Sequence, residues 1–399
     1  MIDNIRKKKI AVVTATRAEY GVLRRILKIL NEDDNIQMLL YVTGTHLSKE
    51  YGYTVEEIQN DLIPIRRMVD INVRCGGAVE VAETISTAQV KFVKAFLEDL
   101  PDILLVVGDR YELLPICTSA LLLRIPIAHI SGGEVTEGAI DDIIRNCITK
   151  MSYLHFPACA EYKNRIIQMG EDPERVFDFG DIGVDSLLNT ERLTKTQLEE
   201  SMLIKLDRPF SLVTFHPVTM QQDSLEQLTE LLLAIEQKKE YLYIITKANA
   251  DMGGEDINKR LEEFCKTHDH CILFSSLGNQ RYISLLALCD FVMGNSSSGI
   301  YEAPAFRKPV VNIGDRQKGR VKAECVVDCL PKRKDIIAAI EKTEDNAFRN
   351  SIKNMQMPFT GGATAENIID TIKDFLNNNR ISLMKGFYDI NFLSEKDIL

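Results

Sequence analysis

The chain lacks the marks of several large protein classes. In 399 residues no apolar run reaches the roughly 20 residues that a membrane-spanning helix needs. The basic cluster Lys7-Lys8-Lys9 precedes only a short apolar segment and reads as a solvated lead-in rather than a secretory leader. The nine cysteines form no CxxC pair, and Cys117, Cys147 and Cys289 sit inside apolar segments. Cys325/Cys329 and His268-Asp269-His270-Cys271 lack the second ligand cluster of a metal site, so no metal is expected. Scattered thiols fit a reduced, cytoplasmic compartment. GxGxxG is absent, which removes a dinucleotide fingerprint, and GxxxxGK[ST] is absent, which argues against P-loop use of ATP. GxSxG is missing too, which counts against an α/β-hydrolase. Positive charge is in deficit, with a formal net charge of −10, so neither nucleic acid nor an anionic membrane is an expected partner. No short-period repeat or low-complexity tract interrupts the chain.

What is present is a regular alternation. The hydrophobic fraction of 45% and charged fraction of 27% are those of a globular protein, and the length calls for two cores. Strand-like runs at 9–15, 36–42, 102–107, 125–130 and 176–179 alternate with amphipathic segments such as 20–30 and 79–100. After a polar, linker-like stretch at 185–200 the series restarts: 210–215, 241–245, 271–274, 290–293, 309–313 and 325–327. The pattern predicts an α/β protein of two Rossmann-like, doubly wound domains facing a cleft. Their expected limits are 1–188 and 189–363, with 364–399 forming a C-terminal helix and tail that return to the first domain. Ligands of such sheets bind beyond the carboxyl ends of strands.

The stretch from Asp290 to Arg320 is the most specific. A strand leads into Gly294-Asn295-Ser296-Ser297-Ser298-Gly299, then a helix. Small residues let a ligand approach the backbone, and a helix start offers N–H donors to a phosphate. Glu302, one turn on, can accept both hydroxyls of a ribose diol. After the next strand come Arg316, Lys318, Arg320 and Lys322 as a basic clamp. Together they predict a nucleoside-diphosphate site.

Other candidates also follow strands. In Gly108-Asp109-Arg110, Asp109 can act as a base or bind sugar hydroxyls, or simply cap a turn, and Arg110 can pair with phosphate. His129-Ile130-Ser131-Gly132-Gly133-Glu134 turns sharply and carries an acid. Asp141 and Asp142 open a helix, and Asp141 and Arg145, four apart, share one face as a substrate cluster or an ordinary helical pair. Several acids in one cleft permit acid–base chemistry. His216, fixed by Pro217, can donate to phosphate. Arg17 can bind phosphate from the other wall, and 247–251 can contact a nucleotide or form a capped turn.

These blocks, RAEYG at 17–21, GDRYE at 108–112, HISGGEVTEGAIDDIIRNCITKMSYLHF at 129–156, FHPVT at 215–219, NSSSGIYE at 295–302 and NIGDRQKGR at 312–320, span nearly the whole chain. In order and content the chain resembles the hydrolysing UDP-N-acetylglucosamine 2-epimerases. The resemblance implies a GT-B-like fold, no cofactor and no metal, and a nucleotide-sugar substrate. It implies conversion of UDP-GlcNAc to N-acetylmannosamine and UDP through 2-acetamidoglucal, for sialic-acid or surface-glycan precursor synthesis. A homo-oligomer, dimer or tetramer, is implied as well. It carries UDP contacts over to Arg17, Arg110, His216, Asn249, Ser296, Ser297, Glu302 and Arg316. The acid–base candidates are Asp109 and Asp141, with Glu134 and His216 assisting. Ser131, Asp142 and Arg145 are the sugar-side candidates.

The chain departs from the family pattern in three places. Ser131 stands where relatives carry a catalytic Glu, one residue is inserted around Glu137, and Gly21 replaces a Ser that touches UDP. Alternative readings are a 2-epimerase of UDP-2,4-diacetamido-2,4,6-trideoxyglucose, a non-hydrolysing epimerase, a glycosyltransferase, or a nucleotide-sugar sensor without turnover.

Overall fold

Ile10, Ala11, Val12 and Val13 are buried essentially completely, because helices cover both faces of the strand that carries them. This explains why the strands read as unbroken apolar runs. The computed structural model describes residues 6–73, 77–136, 140–217, 223–248 and 254–390. The chain divides into two compact units, one made of Met1–Ser186 with Thr360–Leu399, the other of Leu187–Phe359.

Among the described residues the first unit holds six strands: β1 (Lys8–Thr14), β2 (Ile36–Thr43), β3 (Arg67–Val69), β4 (Ile103–Val107), β5 (Ile127–Ile130) and β6 (Leu154–Phe156). All neighbouring pairs are parallel, in the order β3-β2-β1-β4-β5-β6. The second unit repeats the plan with β7 (Phe210–Thr214), β8 (Leu242–Thr246), β9 (Cys271–Phe274), β10 (Phe291–Gly294), β11 (Val310–Ile313) and β12 (Val326–Cys329). Their order is β12-β11-β10-β7-β8-β9, again all parallel. The protein is α/β, with two doubly wound Rossmann-like sheets, as the alternation predicts. In each sheet the order reverses once, between β1 and β4 and between β7 and β10. Such a switch point leaves a crevice at the strands' carboxyl ends.

The helix Arg17–Glu32 shows how the sequence builds the layers. Thr16 and Glu19 form a reciprocal capping box that starts it. Tyr20, Leu23, Ile26, Leu27 and Leu30 then recur at helical spacing and are buried. The C-terminal helix Thr364–Asn377 returns to this unit. Its Ile368, Ile369, Ile372 and Phe375 join Leu23, Ile26 and Leu30 in one core. Arg25 pairs with Glu366, and Lys373 with Asp33, across the same face.

Two expectations need correction. Residues 176–179 are not a strand. Val176 makes one bridge to His155, and Phe177 and Phe179 then stack on Phe156. The sixth strand lies instead at Leu154–Phe156. The polar stretch at 185–200 is also not a simple linker: it contains the end of the helix Ile182–Leu188 and most of the helix Lys195–Met202. The second of these opens on a Thr194/Gln197 capping box, which explains its polar composition.

Candidate active site

The described candidate residues fall into two groups, one in each unit, and each gathers around a switch point. In the second unit, β7 runs into Phe215-His216-Pro217 and β10 into Gly294-Asn295-Ser296-Ser297. Gly294 has φ +134°, and a Cβ there would lie 2.0 Å from the Thr214 carbonyl oxygen, so no other residue fits. Fully buried Asn295 ties the two loops together. Its Oδ1 accepts the His216 amide at 2.7 Å and its Nδ2 donates to the His216 carbonyl at 2.8 Å.

Ser297 precedes the helix Ser298–Ala305. The amides of Gly299, Ile300 and Tyr301 are consumed by the carbonyls of Ser296 and Ser297. Those of Ser296 and Ser297 have no acceptor among the described residues. They are the donors this turn can offer an anion. Glu302, half-buried, lies one turn on. The Tyr282 hydroxyl meets Ser298 Oγ and the Glu302 carboxylate. Burial first, and then Glu302, raise the Tyr282 phenol well above its ordinary value, which keeps it a donor. Tyr282 was not a sequence candidate. A tyrosine on an apolar helix reads as core, and no motif links it to Ser298.

The basic clamp is narrower than expected. Arg316 Nη1 and Gln317 Nε2 donate to the Asn295 carbonyl at 3.2 and 2.8 Å. Arg320 lies over the Tyr301 ring, and Lys322 pairs with Asp328 at 2.7 Å. Arg316 is therefore the clamp residue tied to the Gly/Ser loop. Asn249 lies outside the described residues. Lys247, beside it, pairs with Glu262.

In the first unit the hub is Arg145, whose side chain is 4% exposed. Its Nη2 donates to Asp109 Oδ2 and, at 3.0 Å, to Thr136 Oγ1. Its Nη1 donates to the Glu134 carbonyl at 2.8 Å and to Asp142 Oδ1 at 3.2 Å. Asp142 also accepts the Thr136 amide at 2.7 Å. Arg145 thus pairs with Asp142, three residues back, and not with Asp141 as the spacing suggested. The reach to Asp109 and Thr136 draws the guanidinium across that side of the helix. Asp141 has no hydrogen-bond or ion-pair partner among the described residues.

His129, fully buried, fixes the loop that carries Asp109. Burial lowers its pKa to about 3, so the ring is neutral. A carbonyl only accepts, so Nε2 carries the proton and donates to the Gly108 carbonyl at 2.8 Å. Nδ1 then accepts from Thr149 Oγ1 at 3.3 Å. Ser131 holds a left-handed backbone, φ +66°, and its amide donates to the Phe156 carbonyl. Gly133 must be glycine, since a Cβ would sit 2.3 Å from the Tyr162 carbonyl oxygen.

The arginines expected at phosphate have protein partners here. Arg17 pairs with Glu57 at 2.8 Å, and Arg110 makes a two-pronged pair with buried Glu112 at 3.2 Å. Glu19 lies close enough to feel the charges of Arg110 and Glu112. Its Oε2 accepts the amides of Ala15 and Thr16, while buried Oε1 has no partner among the described residues. Burial pushes its pKa up to about 7; Glu112 adds to the rise, and the amides and Arg110 oppose it. Among the described residues no three His, Cys, Asp or Glu side chains converge as metal ligands would, and no helix is long and apolar enough to cross a membrane.

Residues 28–373 match the family described as UDP-N-acetylglucosamine 2-epimerase. The chain is 38% identical over 386 residues to GDP/UDP-N,N'-diacetylbacillosamine 2-epimerase (hydrolyzing) of Campylobacter jejuni, covering 96% of this chain and 100% of that one. It is 37% identical to polysialic acid biosynthesis protein P7 of Escherichia coli, covering 96% and 98%. Its fold matches the solved Neisseria meningitidis UDP-GlcNAc 2-epimerase bound to UDP-GlcNAc, with TM-score 0.75, 18% identity and coverage of 92% and 100%.

Proposed function

Because the chain belongs to the UDP-N-acetylglucosamine 2-epimerase family, we propose that it is a hydrolysing 2-epimerase of a UDP-linked 2-acetamido sugar. The observation that carries the chemistry is the Asp109 carboxylate at the end of β4, held by buried Arg145 beside the switch point. In this reading Asp109 takes the C2 proton of the sugar. The C2–H electrons form a C1=C2 double bond, and UDP leaves C1 with the electron pair of the C1–O bond. Water then adds its oxygen to C1, while C2 receives a proton on the face opposite to the one that lost it. Asp141 and Glu134 are the acids proposed for that second proton transfer. The Ser296 and Ser297 amides, His216, Arg316, Arg17 and Arg110 stabilise charge on the departing diphosphate. Glu302 accepts the ribose hydroxyls, with Tyr282 orienting its carboxylate.

The full-length similarity to the Campylobacter protein supports UDP-N,N'-diacetylbacillosamine, a 2,4-diacetamido-2,4,6-trideoxy sugar nucleotide, as substrate. UDP-GlcNAc is the second reading, favoured by the match of residues 28–373 to the family described as UDP-N-acetylglucosamine 2-epimerase. The test is turnover of each nucleotide sugar in deuterated water. The expected result is free UDP with a 2-epimerised free sugar carrying deuterium at C2, and faster turnover of the diacetamido substrate. Recovery of the epimerised sugar still linked to UDP would replace hydrolysis with reversible epimerisation. Binding of both compounds without product would reduce the protein to a sensor.

A further inference from the structure

A cavity of about 690 Å³ lies in the first unit, away from the switch point, between the segment after the C-terminal helix and the turns that lead into β5 and β6. We propose that it binds a small amphipathic anion, with an apolar body and one carboxylate-like head. Three observations carry this.

First, the wall is built, not incidental. Lys385 reaches inward and donates to the carbonyls of Lys150 and Ser152 at 2.9 and 2.6 Å, and pairs with fully buried Glu171 at 2.7 Å. The Tyr153 hydroxyl accepts the Ser382 amide and donates to the Arg380 carbonyl. The Tyr388 amide donates to the Gly170 carbonyl at 2.9 Å. The Phe387 ring occupies the space that a Cβ on Gly170 would need. These ties fix the segment at 380–388 as one side of the cavity.

Second, the lining is apolar where a ligand body would rest. Leu121, Met151, Leu383, Met384 and Phe387 line it. Met384 is 91% and Phe387 67% exposed, so these side chains stand at a mouth open to solvent. The volume falls in the usual range for small-molecule sites, about 300–1,000 Å³.

Third, the charge is one-sided. Arg124, Lys150 and Lys385 line the cavity and no acidic side chain does. Glu171, behind the wall, pairs with both lysines, so three cations face one carboxylate. Arg124 has no carboxylate partner among the described residues. An apolar chamber with surplus positive charge at its rim selects an amphipathic anion over a neutral apolar molecule.

Decanoate and its neutral counterpart decanamide, titrated calorimetrically into the full chain, test the proposal. Decanoate is expected to bind at one site, and Arg124→Glu to weaken it at least tenfold while leaving decanamide unchanged. Gly386→Leu is a second, steric test. Gly386 lines the cavity, and a Cβ there meets nothing within 4 Å, so the added side chain starts into open space. It is expected to weaken both ligands. No decanoate binding, equal loss of both ligands in Arg124→Glu, or binding indifferent to both variants would overturn the site.

Discussion

Asn295 closes both backbone hydrogen bonds of His216, accepting at 2.7 Å and donating at 2.8 Å. One buried amide thereby registers the loop after β7 against the loop after β10. Asn295→Asp keeps the volume but replaces a donor with an acceptor facing the His216 carbonyl. Leaving a buried carbonyl unpaired costs about 1–3 kcal/mol, and repulsion adds to it. The expected outcome is a lower denaturant midpoint with an unchanged slope, together with weaker UDP binding, read by urea titration and calorimetry. Unaltered stability would show that water or loop movement replaces the amide.

Asp109 and Arg145 are expected to respond differently. Asp109→Asn should retain UDP affinity and lose turnover by a factor on the order of 10²–10⁴, the range for a general base. Deuterium incorporation at C2 should fall with it. Arg145→Met removes the donor shared by Asp109, Thr136, Asp142 and the Glu134 carbonyl. It should lower both turnover and the melting temperature, because three carboxylate or hydroxyl groups lose a partner at once. An Asp109→Asn enzyme with near wild-type exchange at C2 would remove Asp109 from proton transfer.

The chain's punctuation made much of this legible. Long buried strands such as β1 and β7 announce themselves as unbroken apolar runs, and Gly294 and Gly133 mark turns that only glycine can make. What stayed hidden depends on distant partners. Arg67-Met68-Val69 carries a charged residue because Arg67 reaches Asp99, so a three-residue edge strand looks like loop. Phe177-Asp178-Phe179 alternates like a strand, yet the aromatic stack on Phe156 holds it without a ladder. At the site, helical spacing correctly put Asp141 and Asp142 in the first turn of one helix. It did not reveal which one Arg145 would take, because that choice is made by Asp109, thirty-six residues earlier. Tyr282 was invisible for the same reason: its meaning comes from Ser298 and Glu302.

Glu19 makes stability depend on pH in an unusual direction. Its carboxyl is raised from 4.5 to about 7 by burial, so the folded state holds a proton that the unfolded chain releases. The stabilisation is therefore full below pH 4.5 and lost as pH rises through about 7, with an upper limit of about 3 kcal/mol. Glu19→Gln does not titrate. Relative to wild type it should gain stability between pH 5 and pH 8, measured by thermal melts across that range. A difference independent of pH would mean that Glu19 stays ionised when folded.

Glu171 supplies the opposite slope. Burial alone would raise its pKa, but hydrogen bonds from His155, Lys150 and Lys385 outweigh that and hold it at about 2. A depressed carboxyl stabilises above its unfolded value of 4.5, and the contribution fades as pH falls toward 2. Glu171→Gln should therefore be most destabilising near neutrality, by up to about 3 kcal/mol, and approach wild type in acid. Lys385→Met should reproduce part of this loss, about 1–3 kcal/mol, since it removes one donor to Glu171 and the donor to two carbonyls. Limited proteolysis separates the two variants: Lys385→Met is expected to expose the chain after Arg380 to cleavage, while Glu171→Gln, which keeps the carbonyl contacts of Lys385, should protect it better. Equal resistance in both would show that Phe387 seated on Gly170, rather than Lys385, holds the segment in place.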